Sequence, residues 1–163
     1  MLNALRMISI LYALLLALGP FAYAQNLRWI YTWGGSKTGT SLKVTIQLDA
    51  DALKRARPLV AVVTCPAAEC TVATIRGGTA ATGTPASVLR TRTDAPATAA
   101  AAVYVDSNST GGTSLPVEPL AMGKSVLDMS DIEIKPGEVL SILVTSSSSQ
   151  AITLNGKHEE YLK

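Results

Sequence analysis

The clearest pattern of hydrophobic and polar positions lies in residues 41–48. Every second residue is apolar and the residues between them are polar: Leu42, Val44, Ile46 and Leu48 alternate with Ser41, Lys43, Thr45 and Gln47. Successive side chains of a β-strand point to opposite faces, so an alternation of two predicts a strand. We expect one buried face and one face in water.

Other runs rich in β-branched residues predict further strands, and clusters of Gly, Pro, Asn and Ser separate them. The predicted strands cover residues 28–33, 59–65, 70–76, 87–93, 97–105, 125–134, 138–146 and 151–154. Short strands with regularly spaced turns predict an all-β fold, a single antiparallel β-sandwich or jelly-roll-like domain.

Four junctions decide how these strands connect. Gly34 and Gly35 are predicted to end the first strand, and residues 66–69 to form the four-residue loop of a hairpin. Residues 135–137, Lys-Pro-Gly, predict a turn because Pro fixes φ and Gly accepts a positive φ. Residues 146–150 are expected to reverse the chain.

The first 24 residues have the pattern of an export signal. Arg6 precedes an uncharged run over residues 7–18, and Ala22-Tyr23-Ala24 forms a small-residue cleavage site. We predict cleavage after Ala24; the alternative is a retained N-terminal signal helix that anchors the chain in a membrane. The predicted organisation is a signal peptide over 1–24, a β-sandwich domain over 25–154 and a polar C-terminal tail over 155–163.

Composition narrows the classes of partner. The chain has 163 residues, 48% of them hydrophobic, which suits one folded domain. Only 16% are charged and the net charge is +2, so a nucleic-acid partner, which requires a clustered basic surface, is not expected. The sequence predicts no cofactor.

The two cysteines, Cys65 and Cys70, are expected to form a disulfide. An exported chain enters an oxidising compartment, where a pair of cysteines normally becomes oxidised. The alternatives are a metal site, which needs more ligands, and a redox pair, which normally has the C-x-x-C spacing.

No catalytic constellation stands out. The single histidine, His158, lies in the polar tail and is interpreted as solvated. Carboxylates that follow strand ends are interpreted as turn-capping acids, with glycoside hydrolysis or calcium binding as alternatives: Asp49, Asp51, Asp128, Asp131 and Glu133. The sequence therefore does not predict an enzyme.

Three aromatic residues, Trp29, Tyr31 and Trp33, share one face of the first predicted strand because they alternate along it. Core packing is the first interpretation. A subunit interface and a flat platform for sugar rings are the alternatives.

Basic residues occur in two places. Residues 49–57 are predicted to be a loop or a single helical turn, in which Lys54, Arg55 and Arg57 are solvated, with contact to a phosphate surface or an acidic partner as the alternative. Arg90 and Arg92 are interpreted as charges that protect an edge strand from aggregation.

These observations favour an exported structural or adhesive protein that assembles with protein subunits. Candidates are a surface-filament subunit and a virion component, located in the periplasm, at the cell surface or outside the cell. In its export signal, size, strand content and single disulfide the chain resembles chaperone–usher pilins, although its two cysteines are closer together and Tyr161 is third from last. By analogy, residues 25–33 are positioned to add as a strand to a neighbouring subunit. The alternative is a carbohydrate- or receptor-binding module that uses the aromatic face.

Overall fold

The computed structural model describes residues 28–93 and 95–162, and every element in them is a β-strand. The strands are β1 (Arg28–Leu48), β2 (Lys54–Cys65), β3 (Cys70–Arg76), β4 (Leu89–Arg90), β5 (Ala101–Val105), β6 (Thr113–Ser114), β7 (Glu118–Leu120), β8 (Gly123–Asp128) and β9 (Val139–Leu162). All of their pairings are antiparallel, which confirms the predicted all-β class. In these two ranges no helix is long and apolar enough to cross a membrane. The predicted signal peptide lies outside the described residues.

Strand β9 is the centre of the fold. On one side it pairs with β1 from Arg28 opposite Tyr161 to Gln47 opposite Val139. On its other side β2 pairs with the C-terminal half of β9, and β3 pairs with the N-terminal half. Strands β2 and β3 therefore follow one another along the same side of β9. The predicted hairpin between them is wrong, because the chain between β2 and β3 changes layers and does not reverse to pair the two strands.

The long strands bend at one shared place, which we call the corner. The register of β1 and β9 shifts between Gly39 and Ser41, opposite residues 146–150 of β9, and residues 66–69 connect β2 to β3 at the same level. Irregularities of this kind bend a strand. The expected chain reversal at residues 146–150 is wrong, because β9 continues through them.

The bend divides the sheet into two layers. One layer has the order β4-β1-β9-β2-β8; in the other, β5, β1, β9 and β3 lie side by side, with β6 and β7 beyond β3. Side chains from both layers form one buried cluster that includes the predicted core residues Leu42, Val44, Ile46 and Leu48. This arrangement is consistent with a β-sandwich.

The face of β1 that we expected to be in water is partly covered. Thr45 is buried, and its hydroxyl lies 2.7 Å from that of Ser107, 3.0 Å from that of Ser109 and 2.7 Å from that of Ser141. The loop after β5 therefore covers this outer face through hydroxyl groups, which an alternating pattern does not reveal.

The glycines of β1 do not end the strand. A Cβ atom at Gly34 would lie 2.1 Å from Oδ1 of Asn155, and one at Gly35 would lie 2.4 Å from Cγ1 of Val105. Neighbouring side chains occupy the space that a side chain at either glycine would need. The predicted break at these positions is wrong, whereas the predicted turn at residues 135–137 is confirmed by Gly137, whose φ is 78°.

Several strands begin or end at residues other than those predicted. The predicted strand over 87–93 is only Leu89–Arg90, and the one over 97–105 is Ala101–Val105. Residues 54–57, predicted to be a loop, begin β2. Residues 155–162, predicted to be a polar tail, are the last part of β9 and pair with both β1 and β2. That prediction failed because the side-chain partners of these polar residues are distant in sequence.

Candidate functional site

The densest group of polar side chains lies where β1, β2 and β9 meet at the start of β1. The cross-strand register places Trp29, Tyr31 and Trp33 opposite Glu160, His158 and Gly156. Because side chains alternate between faces, these six positions share one face of the sheet. Lys54 of β2, opposite Leu162, lies on the same face. We call five of these residues the terminal cluster: Trp29, Tyr31, Lys54, His158 and Glu160.

His158 is fully buried, so its interpretation as a solvated residue is wrong. Its ring stacks on that of Tyr31 with centroids 5.4 Å apart and planes at 21°. Nε2 lies 3.4 Å from Oε1 of Glu160, while Nδ1 has no hydrogen-bond partner among the described residues. A proton on Nε2 therefore has Glu160 as its acceptor, whereas a proton on Nδ1 would have none among the described residues.

Glu160 is the acceptor at the centre of this cluster. It is fully buried, accepts a hydrogen bond of 2.8 Å from the backbone N–H of Ala101, and lies 3.3 Å from Nζ of Lys54. Burial alone would raise the pKa of this carboxyl, but the hydrogen bonds from His158 and Ala101 outweigh it, and the pKa is lowered. The carboxylate form is the one that this site stabilises.

Lys54 and Tyr31 complete the cluster. The Lys54 ammonium group lies 4.3 Å from the centroid of the Trp29 ring, a cation–π distance. The Tyr31 hydroxyl donates to the carbonyl oxygen of Pro96 at 3.2 Å. Burial, with the Glu160 charge second, raises the pKa of Tyr31 to about 12, although Arg90 acts in the opposite direction.

The aromatic row packs inward. Tyr31 and Trp33 are buried, as the core-packing interpretation requires, and Trp29 is partly exposed. Trp33 lies over Gly156, where a Cβ atom would come within 2.2 Å of the indole. Since two of the three rings are buried, the row does not present a flat, exposed surface to a sugar.

The outer face of the same strands carries ion pairs. Arg55 pairs with Glu133, which also accepts a 2.5 Å hydrogen bond from the Tyr161 hydroxyl. Arg57 and Arg28 lie 3.7 and 3.3 Å from Glu159. Lys54, Arg55 and Arg57, predicted to lie in a solvated loop with basic contact as the alternative, lie instead in a strand, and each has a carboxylate partner.

The terminal cluster is built to hold strands together. His158 and Glu160 are closed to solvent, so a substrate does not reach them.

Two cavities of about 320 Å³ are lined by other residues: one by residues 97–103 with Asp49, Pro85, Ala86 and Val88, the other by Glu69, Cys70, Thr71, Pro119, Thr145, Ser146 and Ser147. Among the described residues, no three His, Cys, Asp or Glu side chains come together as metal ligands.

The predicted disulfide between Cys65 and Cys70 is formed. It lies at the corner, where it closes the connection between β2 and β3, and both cysteines are buried. The side chain of Gln150 fills this connection: its Oε1 accepts from the N–H of Ala67 at 2.7 Å, and its Nε2 donates to the carbonyl oxygen of Ala68 at 3.1 Å. Gln150 was missed from the sequence because it lies in a segment that reads as a turn.

A second feature was also missed. Among the described residues, six large hydrophobic side chains are exposed, and four of them lie within residues 115–126: Leu115, Val117, Met122 and Val126. Beside them a groove of about 180 Å³ runs between β8 and the segment that contains β6 and β7. Its apolar lining includes Val72, Leu115, Leu127, Met129 and Ile132, with Glu118 and Asp128 among its polar residues. We call this region the open edge.

Comparison with known proteins shows no family. No family model matches the chain, and no curated protein matches it. A capsid chain of the T13 particle of infectious bursal disease virus is 10% identical, with a TM-score of 0.28; the match covers 85% of this chain and 32% of the viral one. A chain of the T=1 particles derived from that virus is 11% identical, with a TM-score of 0.21, and the match covers 85% and 40%. The chain thus spans about a third of the first of these proteins. Similarity this low does not support an argument about function.

Proposed function

We propose that this chain is an exported, non-catalytic structural or adhesive β-sandwich protein that works by assembling with other protein subunits. A subunit of a surface filament and a component of a virion are the two forms of this function. The observation that carries the proposal is the open edge, where Leu115, Val117, Met122 and Val126 are exposed within one short stretch of chain.

Exposed apolar side chains that cluster together favour an interface, whereas singly scattered ones are ordinary. The other two exposed large hydrophobic residues, Leu53 and Leu89, lie outside this stretch. The open edge also has the groove, whose apolar lining would leave water when a partner covers it. Assembly is therefore the use that best fits this part of the surface.

The open edge replaces the N-terminal strand as the assembly element. Residues 28–33, expected to be available for addition to a neighbouring subunit, already pair with β9 of their own chain. Releasing them would expose Tyr31 and Trp33 and leave His158 and Glu160 without their neighbours. A partner at the open edge requires no such rearrangement.

The buried state of the terminal cluster supports a function without catalysis. The chain has a single histidine, and it is closed to solvent. A general base must reach the proton that it removes, directly or through one water molecule. A carbohydrate-binding function is not proposed, because two rings of the aromatic row are buried.

The test is the assembly state of the purified protein, measured by size-exclusion chromatography with light scattering and by electron microscopy. We expect filaments or closed shells. Replacing Leu115, Val117 and Met122 with serine should reduce their amount at least tenfold, while the matched control, Leu53→Ser with Leu89→Ser, should leave it unchanged. A wild-type protein that stays monomeric at high concentration, or equal loss in both variants, would contradict the proposal.

A further inference from the structure

Among residues 28–93 and 95–162, strand β8 has a pairing partner on one side only. It is the last strand of its layer, where its six residues pair with β2 on one side only. The other strands at the edges of the sheet are shorter: β4 and β6 have two residues each, β7 has three and β5 has five. Short edge strands, prolines and β-bulges protect the edge of a sheet from pairing with a strand of another chain. None of these protects β8, which is continuous and contains no proline.

The outward side chains of β8 place opposite charges at equal distances on either side of a central apolar residue. Lys124, Val126 and Asp128 are exposed, while Ser125 and Leu127 between them are half-buried. The strand thus carries a positive charge, an exposed valine and a negative charge along its outer face. Val126, which is 65% exposed, stands at the centre.

A two-fold axis through Val126 makes this order self-complementary. In an antiparallel pair with the same strand of a second copy, Lys124 lies opposite Asp128 of that copy, and Val126 lies opposite its own equivalent. Both ion pairs form because a two-fold interface repeats each contact. Opposite charges and apolar side chains that face each other across two strands stabilise the pairing.

We propose that β8 pairs antiparallel with β8 of a second copy of this chain, in the register centred on Val126, so that one layer of the sandwich continues from the first copy into the second and the pair forms a two-fold dimer. This inference rests on the proposed assembly function and assigns it a surface. The inner face of the pair is compatible with it, since Leu127 lies opposite Ser125 of the second copy. The groove lies beside the same edge, so the second copy also shields its apolar lining.

The arrangement differs from a protected edge. Two charges of the same sign would repel their equivalents in a second copy, whereas Lys124 and Asp128 attract theirs. The opposite margin of the layer offers the contrast: β4 has two residues, and Arg90 lies opposite the buried Tyr31, so its side chain points toward the inner face. Inward charges of that kind prevent pairing.

Charge reversal tests the register. The change Lys124→Asp places two aspartates opposite each other twice in the dimer, and Asp128→Lys does the same with lysines. Each single change should weaken dimerisation by about tenfold or more, because two attractions become two repulsions. The double change restores opposite charges and should return the dimer to within about threefold of wild type. Sedimentation velocity over a concentration series measures this, and near-ultraviolet circular dichroism verifies folding.

A cross-link tests the centre of the register. In Val126→Cys the new thiols of two copies face each other, at the Cα separation of about 4.5–5.5 Å that directly opposed strand residues have. Mild oxidation should give a disulfide-linked dimer within minutes at micromolar concentration. The matched control, Leu53→Cys, introduces a thiol at a position that is 87% exposed and far from β8 in sequence, and it should remain monomeric. Equal cross-linking of the two variants would overturn the proposal.

The outcomes separate this inference from the proposed function. Large assemblies that survive both single charge reversals would leave the proposed function standing and refute the β8 pairing. A dimer that the single changes abolish and the double change restores would establish the β8 pairing, and the absence of anything larger would then count against a filament or shell. A wild-type protein that is monomeric throughout the series would overturn both.

Discussion

At the scale of single residues, the polar side chains near the end of β9 depend on one another. Glu160 holds the proton of His158 at Nε2, accepts from Ala101 and faces Lys54. A buried carboxylate without such partners would strongly destabilise the fold, whereas here each oxygen has a donor. Charged residues in a row, which look like a tail in the sequence, are stable inside the strand for this reason.

Replacing Glu160 with glutamine should lower the free energy of unfolding by about 2–4 kcal/mol, because the change leaves the largely buried Lys54 without its counter-ion. The pKa of Glu160 is lowered in the folded protein, so its stabilisation is present above the ordinary carboxyl pKa and is lost as the pH falls through the folded value. Urea unfolding between pH 3 and pH 7 measures both effects.

The control for this experiment is Asp106→Asn, which removes an exposed pair with Lys37. Surface pairs contribute little, so its unfolding free energy should stay close to that of wild type at every pH. Equal losses in the two variants would show that the burial of Glu160 is not what makes its ion pair strong.

The phenol of Tyr31 should lose its proton at a higher pH than an ordinary tyrosine does. Its pKa is raised to about 12 by burial and by the Glu160 charge, so the neutral phenol is favoured in the folded state. The stabilisation is complete below pH 10, the ordinary value for tyrosine, and is lost as the pH rises toward 12. Absorbance at 295 nm should show a late phenolate transition that Tyr31→Phe removes; a spectrum unchanged by this substitution would contradict the assignment.

At the scale of elements, the corner shows which signals in the sequence are local. The alternation through Leu42 and Ile46 predicted a buried strand correctly, because one face of β1 meets one core. Residues 66–69 and 146–150 are of types that occur both where a chain reverses and where a strand bends. The sequence therefore does not distinguish a reversal from a bend at these positions. What distinguishes them is the pairing with β9, which joins residues far apart in the chain.

The Gln150 side chain should stabilise the corner as much as the disulfide does. Replacing Gln150 with alanine removes its hydrogen bonds to the N–H groups of residues 67 and 68 and to the carbonyl oxygen of Ala68, and it should reduce the unfolding free energy by about 2 kcal/mol. Replacing both cysteines with serine should remove about 2 kcal/mol, since the closed loop is short.

Thermal and urea unfolding measure these two variants against Ser148→Ala, an exposed position in the same bend. That control should unfold like wild type. A Gln150→Ala protein as stable as the control would show that the corner does not depend on this side chain.

At the scale of the whole molecule, the sheet depends on β9 along its entire length. A chain that stops after Leu154 keeps every strand predicted from the sequence but loses the β9 partners of residues 28–34 and of residues 54–62, which are most of β2. We expect it to lack a cooperative unfolding transition and the near-ultraviolet signal of buried tryptophan. A truncated chain that unfolds like the full-length chain would show that residues 155–162 are not needed for the fold.

The order of the strands also bears on when the molecule acquires its shape. β9 follows every other strand in the sequence, yet β1, β2 and β3 all find their neighbour in it. Contacts between positions so distant form slowly, because a long loop must close before they stabilise anything. During synthesis β1, β2 and β3 therefore lack their central partner, β9, until it has been made. A chain built in this way completes its sheet only once β9 has left the ribosome.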